Sequence, residues 1–334
     1  MSQAPSVDAG IQQRLAALLA PILPDLAEVD ARLRAELRND DPFVNELAQH
    51  SFRMSGKRLR PALLLLTARA VGEINDDHRT LAAVVEMIHT ATLVHDDVLD
   101  EAEVRRHVAT VNARWSNQTS VLLGDYLFTH AFYLASTLET TFGCRTIGRA
   151  TNIVCEGELR QTASSGDFSL SRDDYFAIVE AKTAELTACA CLLGAHYAGA
   201  DASVAEELQC YGRELGVAFQ IADDLLDLEG DEQAAGKSLG TDLANRKMTL
   251  PLITLRDRLD DAERNRLMGL FEEPIVESQA ALLEWLADSG ALQEAREEAA
   301  GIAAAAVARL DVLADSPAKA ALAGLGQFVV KRNA

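Results

Sequence analysis

Apolar residues fall at helical spacing along most of this chain. Ile11 to Arg38 carries them at Leu15, Leu18, Leu19, Ile22 and Leu26, with Pro21 and Pro24 interrupting, which predicts a helical hairpin. Residues 1 to about 8 are expected to be frayed and disordered. Arg53 to Pro61 reads as a turn leading into a helix, because proline is tolerated in a first helical turn. Further helices are expected over Arg60–Val71, Leu81–Asp100, Ser120–Thr140, Tyr175–Ala200 and Leu208–Leu228. Asp167–Asp174 is loop-like, with Ser171 as an N-cap. Gly230–Asn245 is a polar, glycine-containing loop, and after Pro251 the chain is helical to its end.

Composition narrows this to one class. Of 334 residues, 49% are hydrophobic, enough for a sizeable core. Low aromatic content and abundant Ala and Leu suit an all-α chain. No Ser/Gly-rich linker marks a seam, so residues 1–334 are expected to form a single large helical domain. The net charge of −20 excludes a nucleic-acid binder, which needs a basic face, and disfavours docking on anionic membranes. The five cysteines contain no CxxC, so neither a disulfide framework nor a zinc site is indicated. Residues 1–10 lack the regions of a signal peptide, and runs such as PALLLLTA are too short to span a bilayer. A cytoplasmic protein is expected.

Two acidic clusters carry the candidate chemistry. Asp96, Asp97 and Asp100 stand at i, i+1 and i+4, and Asp223, Asp224 and Asp227 repeat that spacing. Each set falls within one helical arc of roughly 100°. Like charges so placed repel one another unless a cation sits among them, and carboxylates in that number suit Mg²⁺ shared with phosphates. One such cluster reads as a wet surface. Two copies with apolar flanks point to a metal–phosphate site. Arginine forks onto phosphate oxygens, and Arg105 and Arg106 follow the first cluster closely.

These motifs resemble those of the trans-isoprenyl diphosphate synthases, the chain-elongating prenyltransferases. Gly56-Lys57-Arg58-Leu59-Arg60-Pro61, Ile88 to His95, Gly124-Asp125, Lys182-Thr183, Phe219-Gln220 and Lys247 to Pro251 come in that family's order. The likeness covers about 30 to 330 and is nearest the bacterial long-chain, octaprenyl-type synthases. It implies an all-α bundle of the isoprenoid synthase type with a central substrate cavity, acting as a homodimer.

The resemblance also implies roles. Asp96, Asp97, Asp100, Asp223, Asp224 and Asp227 are the expected ligands of Mg²⁺, three ions per site, with Mn²⁺ as a substitute. Lys57, Arg60, His89 and Arg106 are expected on isopentenyl diphosphate. Arg105, Lys182, Lys237 and Lys247 are expected on the diphosphates, with Thr183 and Gln220 orienting the allylic substrate. The implied reaction is a Mg²⁺-dependent 1′-4 condensation of isopentenyl diphosphate with an allylic primer. Ala91 and Thr92 are small where short-chain enzymes carry a bulky aromatic, and Phe132 or Tyr133 is the expected floor of a tunnel. That predicts a product of about C40–C50, a quinone side-chain precursor, on family grounds. Two alternatives stay open: a short-chain C15–C20 synthase, and a non-catalytic subunit of a heteromeric enzyme.

Overall fold

A computed structural model describes residues 7–54, 56–229, 240–272 and 275–330. In chain order the helices are α1 Val7–Leu19, α2 Leu23–Glu36, α3 Pro42–Met54, α4 Leu59–Val71 and α5 Asp76–Leu99. A two-stranded hairpin follows, β1 Val104–Arg105 and β2 Val108–Ala109. Then come α6 Val111–Arg114, α7 Asn117–Ser136, α8 Phe142–Ala163, α9 Arg172–Val179, α10 Glu185–Tyr197 and α11 Ala202–Glu229. The last are α12 Thr241–Ala244, α13 Leu250–Arg258, α14 Asp261–Glu272, α15 Ile275–Ser289, α16 Ala291–Arg309 and α17 Pro317–Val330.

The all-α expectation holds, with particular departures. Helix already begins at Val7, within the segment expected to fray. Pro21 lies in a single 3₁₀ turn, Ala20–Ile22, that breaks the first helix from the second. Helix α5 starts five residues ahead of Leu81, because Asn75 caps it: its side chain accepts from the His78 amide at 3.1 Å, and its own amide donates to His78 Nδ1 at 3.0 Å. Ser116 caps α7 in the same way, and Ser171 caps α9 as expected. The helix expected over Tyr175–Ala200 is interrupted by a π-helical turn, Glu180–Ala184.

The described chain divides into two compact units. One comprises residues 1–152, 186–212 and 307–325. Its centre is α5, packed on α2, α4 and α7, with Leu81 to Val85, Met87, Ile88, Ala91 and Val94 buried. Pro61 to Ala68 of α4 are buried against it. Gly124 lets α5 approach α7, since a Cβ there would overlap the His95 ring. His95 meets the Val121 carbonyl at 3.1 Å.

The other unit comprises residues 153–185, 213–306 and 326–334. Tyr175, Ile178, Val217, Ile221, Leu225, Ile253, Leu267, Phe271, Leu282 and Leu286 form its core. Arg256 is buried there and donates to the carbonyls of Phe168 at 2.6 Å and Leu170 at 2.8 Å. No described helix in either unit is long and apolar enough to cross a membrane.

Candidate active site

Both aspartate clusters lie at the C-terminal ends of their helices. Asp96 and Asp97 are in the last turn of α5, with Asp100 as its C-cap, and Asp223, Asp224 and Asp227 occupy the closing turns of α11. That is the negative end of the helix dipole, and neither helix has a basic residue in its last turn. Each helix therefore brings three carboxylates together at its negative end. Hard oxygen donors in such a setting fit divalent cations. Among the described residues, no three ligating side chains converge on a single point.

Within each cluster the three aspartates have different surroundings. Asp97 is fully buried while Asp96 is half-buried and Asp100 exposed. Arg105 Nε donates to Asp97 Oδ1 at 2.7 Å, and Asp97 Oδ2 is a buried acceptor with no partner among the described residues. Burial pushes the Asp97 carboxyl up, Arg105 opposing. Asp227 was expected as a metal ligand, yet both its oxygens serve the fold. Oδ1 accepts from Thr241 Oγ1 at 3.1 Å and Oδ2 from the Asp242 amide at 2.9 Å, holding the start of α12. Sequence spacing alone treats the three positions as equal; burial does not.

The basic residues of the first unit gather around His89. Arg58 stands in the left-handed region, φ 53°, just before α4. Its guanidinium bonds Asp30 at 2.9 Å and the buried Glu86 at 2.7 Å. Arg60 lies in the first turn of α4, and its Nε is buried without a partner among the described residues. Burial pulls its guanidinium down to about 10, with Arg106 acting the same way and Glu86 opposing. His89 is held well below its ordinary value by burial first, then by Arg60, Arg106, Arg105 and Arg58. Arginine charge bearing on a buried imidazole favours an anion there. Lys57, in the turn before α4, is exposed.

Arg106 reaches this cluster by way of the hairpin. Arg106 and His107 link two strands paired Val104 to Ala109 and Arg105 to Val108. Both linking residues have positive φ, 52° and 63°. That is the hairpin geometry usually taken by Asn-Gly, so nothing in the Arg-His pair announces it. Gly56 completes the arrangement, because a Cβ there would stand 2.5 Å from Arg106 Cζ.

In the second unit one cleft of about 80 Å³ brings together Lys182, Thr183, Gln220, Asp224 and Lys247, all expected from sequence. Lys182 and Thr183 sit on the π-helical turn, a local widening that recurs at functional sites. Two glycines leave room for it. A Cβ on Gly157 would stand 2.6 Å from the Lys182 amide nitrogen, and one on Gly216 would stand 2.6 Å from Ala184 Cα. Lys182 Nζ pairs with Glu158 at 2.7 Å, and Lys247 Nζ with Asp242 at 3.3 Å. Burial pushes Asp224 up to about 8, with Asp242 and then Asp223 adding to the shift. A divalent cation beside this cluster would favour the anion again. Lys237 lies outside the described residues.

The sequence model of the polyprenyl synthetase family matches residues 41–286. The chain belongs to that family of prenyltransferases. The match encloses every candidate from Lys57 to Lys247. The chain is 36% identical over 321 residues to the octaprenyl diphosphate synthase of Escherichia coli K12, covering 92% of this chain and 96% of that one. It is 35% identical to the nonaprenyl diphosphate synthase of Mycobacterium tuberculosis H37Rv, covering 98% of each. The crystal structure of a polyprenyl synthase from Caulobacter crescentus CB15, complexed with calcium and isoprenyl diphosphate, aligns with a TM-score of 0.89 at 37% identity. That alignment covers 96% of this chain and 98% of the other.

Members of this family use divalent metal ions, which accords with the two carboxylate clusters above. Several residues beside these sites carry no motif in the sequence. Tyr175 reads as a core aromatic, Asp242 as part of a polar loop and Glu86 as an interruption in a buried helix. Tyr133, expected near a tunnel floor, is 64% exposed, whereas a floor is enclosed. Phe132 is half-buried and is the better placed of the two.

Proposed function

We propose that the chain joins isopentenyl diphosphate to an allylic diphosphate primer, head to tail (1′-4), and repeats the addition to build a long all-trans polyprenyl diphosphate. The observation that carries this reading is the buried Arg60 guanidinium at the start of α4, whose Nε has no partner among the described residues. Isopentenyl diphosphate is assigned to Arg60, Arg106 and His89, with Lys57 at the N-terminus of α4, where free amides favour anions. The allylic diphosphate is assigned to Lys182, Lys237 and Lys247.

Asp96, Asp100 and Asp223 are assigned to Mg²⁺, which when bound neutralises the diphosphate charge. Arg105 holds Asp97 and adds its charge to the same field. Lys182 stabilises the leaving diphosphate as the allylic C–O bond breaks. Thr183 turns its hydroxyl oxygen toward the allylic cation, and Gln220 orients that hydroxyl. The alkene of isopentenyl diphosphate attacks that cation, forming the new C–C bond. The proton then lost passes to the released diphosphate, so no side-chain nucleophile is needed.

The product is placed at about C40–C50 on family grounds, since octaprenyl and nonaprenyl synthases align over 92% and 98% of the chain. The chain is further proposed to act as one catalytic domain, because the family match runs through both units. A cytoplasmic homodimer completes the reading. Leu122, Tyr126, Thr129 and Tyr133 follow one face of α7, with Leu122 60% and Tyr133 64% exposed, an apolar stripe suited to a second copy.

The test is product analysis with Mg²⁺, labelled isopentenyl diphosphate and a farnesyl primer. A ladder ending at one long dominant product is expected. A product ending at C15–C20 would replace the long-chain reading with a short-chain one. No product from folded protein would leave a non-catalytic subunit.

A further inference from the structure

Four side chains in the second unit form a continuous hydrogen-bonded relay. Tyr175 Oη donates to Asp224 Oδ2 at 2.6 Å. Gln220 Nε2 donates to Asp224 Oδ1 at 2.8 Å. Thr183 Oγ1 donates to Gln220 Oε1 at 2.7 Å. Tyr175 comes from α9, Thr183 from the π-helical turn, and Gln220 and Asp224 from one face of α11, four residues apart.

The relay has a direction. In its anionic form, which a bound divalent cation favours, the Asp224 carboxylate only accepts, while a primary amide has one donor end and one acceptor end. With Asp224 facing both a phenol and an amide, Gln220 must turn its NH₂ toward Asp224 and its oxygen toward Thr183. Thr183 has a single hydroxyl proton and gives it to Gln220. Its oxygen is therefore an acceptor in any further contact. At Thr183 the cleft is then lined by an oxygen whose hydrogen is turned away to Gln220, a polarity that stabilises positive charge.

We propose that Tyr175 is a positioning residue for the allylic half-reaction: by occupying Asp224 Oδ2 it fixes the orientation of Gln220 and hence the polarity of the Thr183 hydroxyl. This rests on the prenyl-transfer reading above. Tyr175 itself touches no substrate in that scheme. Without its hydroxyl, a buried carboxylate oxygen loses its donor. Asp224 then rotates to find another, and Gln220 loses the partner that sets its direction.

Tyr175→Phe tests this, because the ring and its edge contact with Phe176 are kept. The expected result is a fall in kcat of about tenfold, the usual scale for a hydrogen bond to a charged group. KM for isopentenyl diphosphate should not change, and the melting temperature should fall by no more than a few degrees, the cost of one lost buried hydrogen bond. Calorimetric binding of inorganic diphosphate with Mg²⁺ should also be unchanged, since the metal-holding Asp223 is not disturbed. In a Gln220→Leu background the same substitution should cost nothing further, because the relay is already cut. Additive losses in the double variant, or a wild-type rate for Tyr175→Phe, would overturn the proposal. Should Tyr175→Phe not fold, Thr183→Val in the Gln220→Leu background reads the same coupling, and additivity there counts equally against it. Turnover by the unaltered chain is the control: its absence would sink the prenyl-transfer reading, whereas turnover with additive variants would sink the relay alone.

Discussion

Arg105 Nε lies 2.7 Å from Asp97 Oδ1, and this ion pair ties the β-hairpin to the last turn of α5. Asp97 is fully buried in that pair, while its neighbour Asp96 is half-buried. Removing one partner of a buried pair costs about 3 kcal/mol or more. Asp97→Ala should therefore lower the melting temperature by several degrees. Asp96→Ala should leave melting unchanged and cut turnover by more than about a thousandfold, the scale expected for loss of a metal ligand. Calorimetry and kcat measured on the same two variants check this. Equal stability losses in both would show that the two positions are not distinct.

A Cβ on Gly56 would stand 2.5 Å from Arg106 Cζ. The obstacle is the far end of a flexible side chain, so Gly56→Ala should fold and push the Arg106 guanidinium aside. KM for isopentenyl diphosphate should rise about tenfold, as for loss of one charge-assisted contact. KM for the allylic primer should not move. Steady-state kinetics with each substrate varied in turn decides the matter.

Ala91 is fully buried on α5, and Thr92 beside it is half-buried. If the growing chain runs past them, a bulky ring must stop it early. Ala91→Tyr is expected to shorten the dominant product. Because overpacking a core site costs about 1–3 kcal/mol, Thr92→Tyr is the companion variant with more room. Chromatographic sizing of dephosphorylated products is the readout, and an unchanged length in both folded variants would remove these residues from length control.

His89 couples pH to both stability and binding. Its folded value is well below 6.5, set by burial and the surrounding arginines. Between that value and 6.5 the unfolded chain binds a proton that the folded chain does not. Stability should thus fall as pH drops below about 6.5 and level off once pH passes the folded value. His89→Gln should flatten that dependence in urea titrations from pH 5 to 7.5. Bound isopentenyl diphosphate offsets the arginine charge, so the His89 resonance should titrate at higher pH in its presence.

Much of the candidate site was legible because its residues fall in short, local patterns. Two clusters at i, i+1 and i+4, a basic turn ahead of a helix and a Lys-Thr pair in an apolar stretch each need only helical geometry to be read. Helical periodicity likewise indicated the all-α class, since the residues that bury a helix repeat along the chain itself.

What the tertiary structure decided is how unlike those repeated residues are. Asp96, Asp97 and Asp100 share one spacing, yet packing buries only Asp97 and gives it Arg105. Asp227 is drawn into holding α12 because the chain returns to it fourteen residues later, at Thr241. Tyr175 stands 49 residues from Asp224, Gly56 stands 50 from Arg106, and no local pattern links either pair. The hairpin that delivers Arg106 uses positive φ at two residues that do not favour it, and the π-helical turn depends on glycines from other helices. Sequence fixes which groups can carry charge and which segments can coil. Burial, long-range pairing and backbone strain arise only when distant segments pack, and they decide which of those groups bind and which merely hold the others in place.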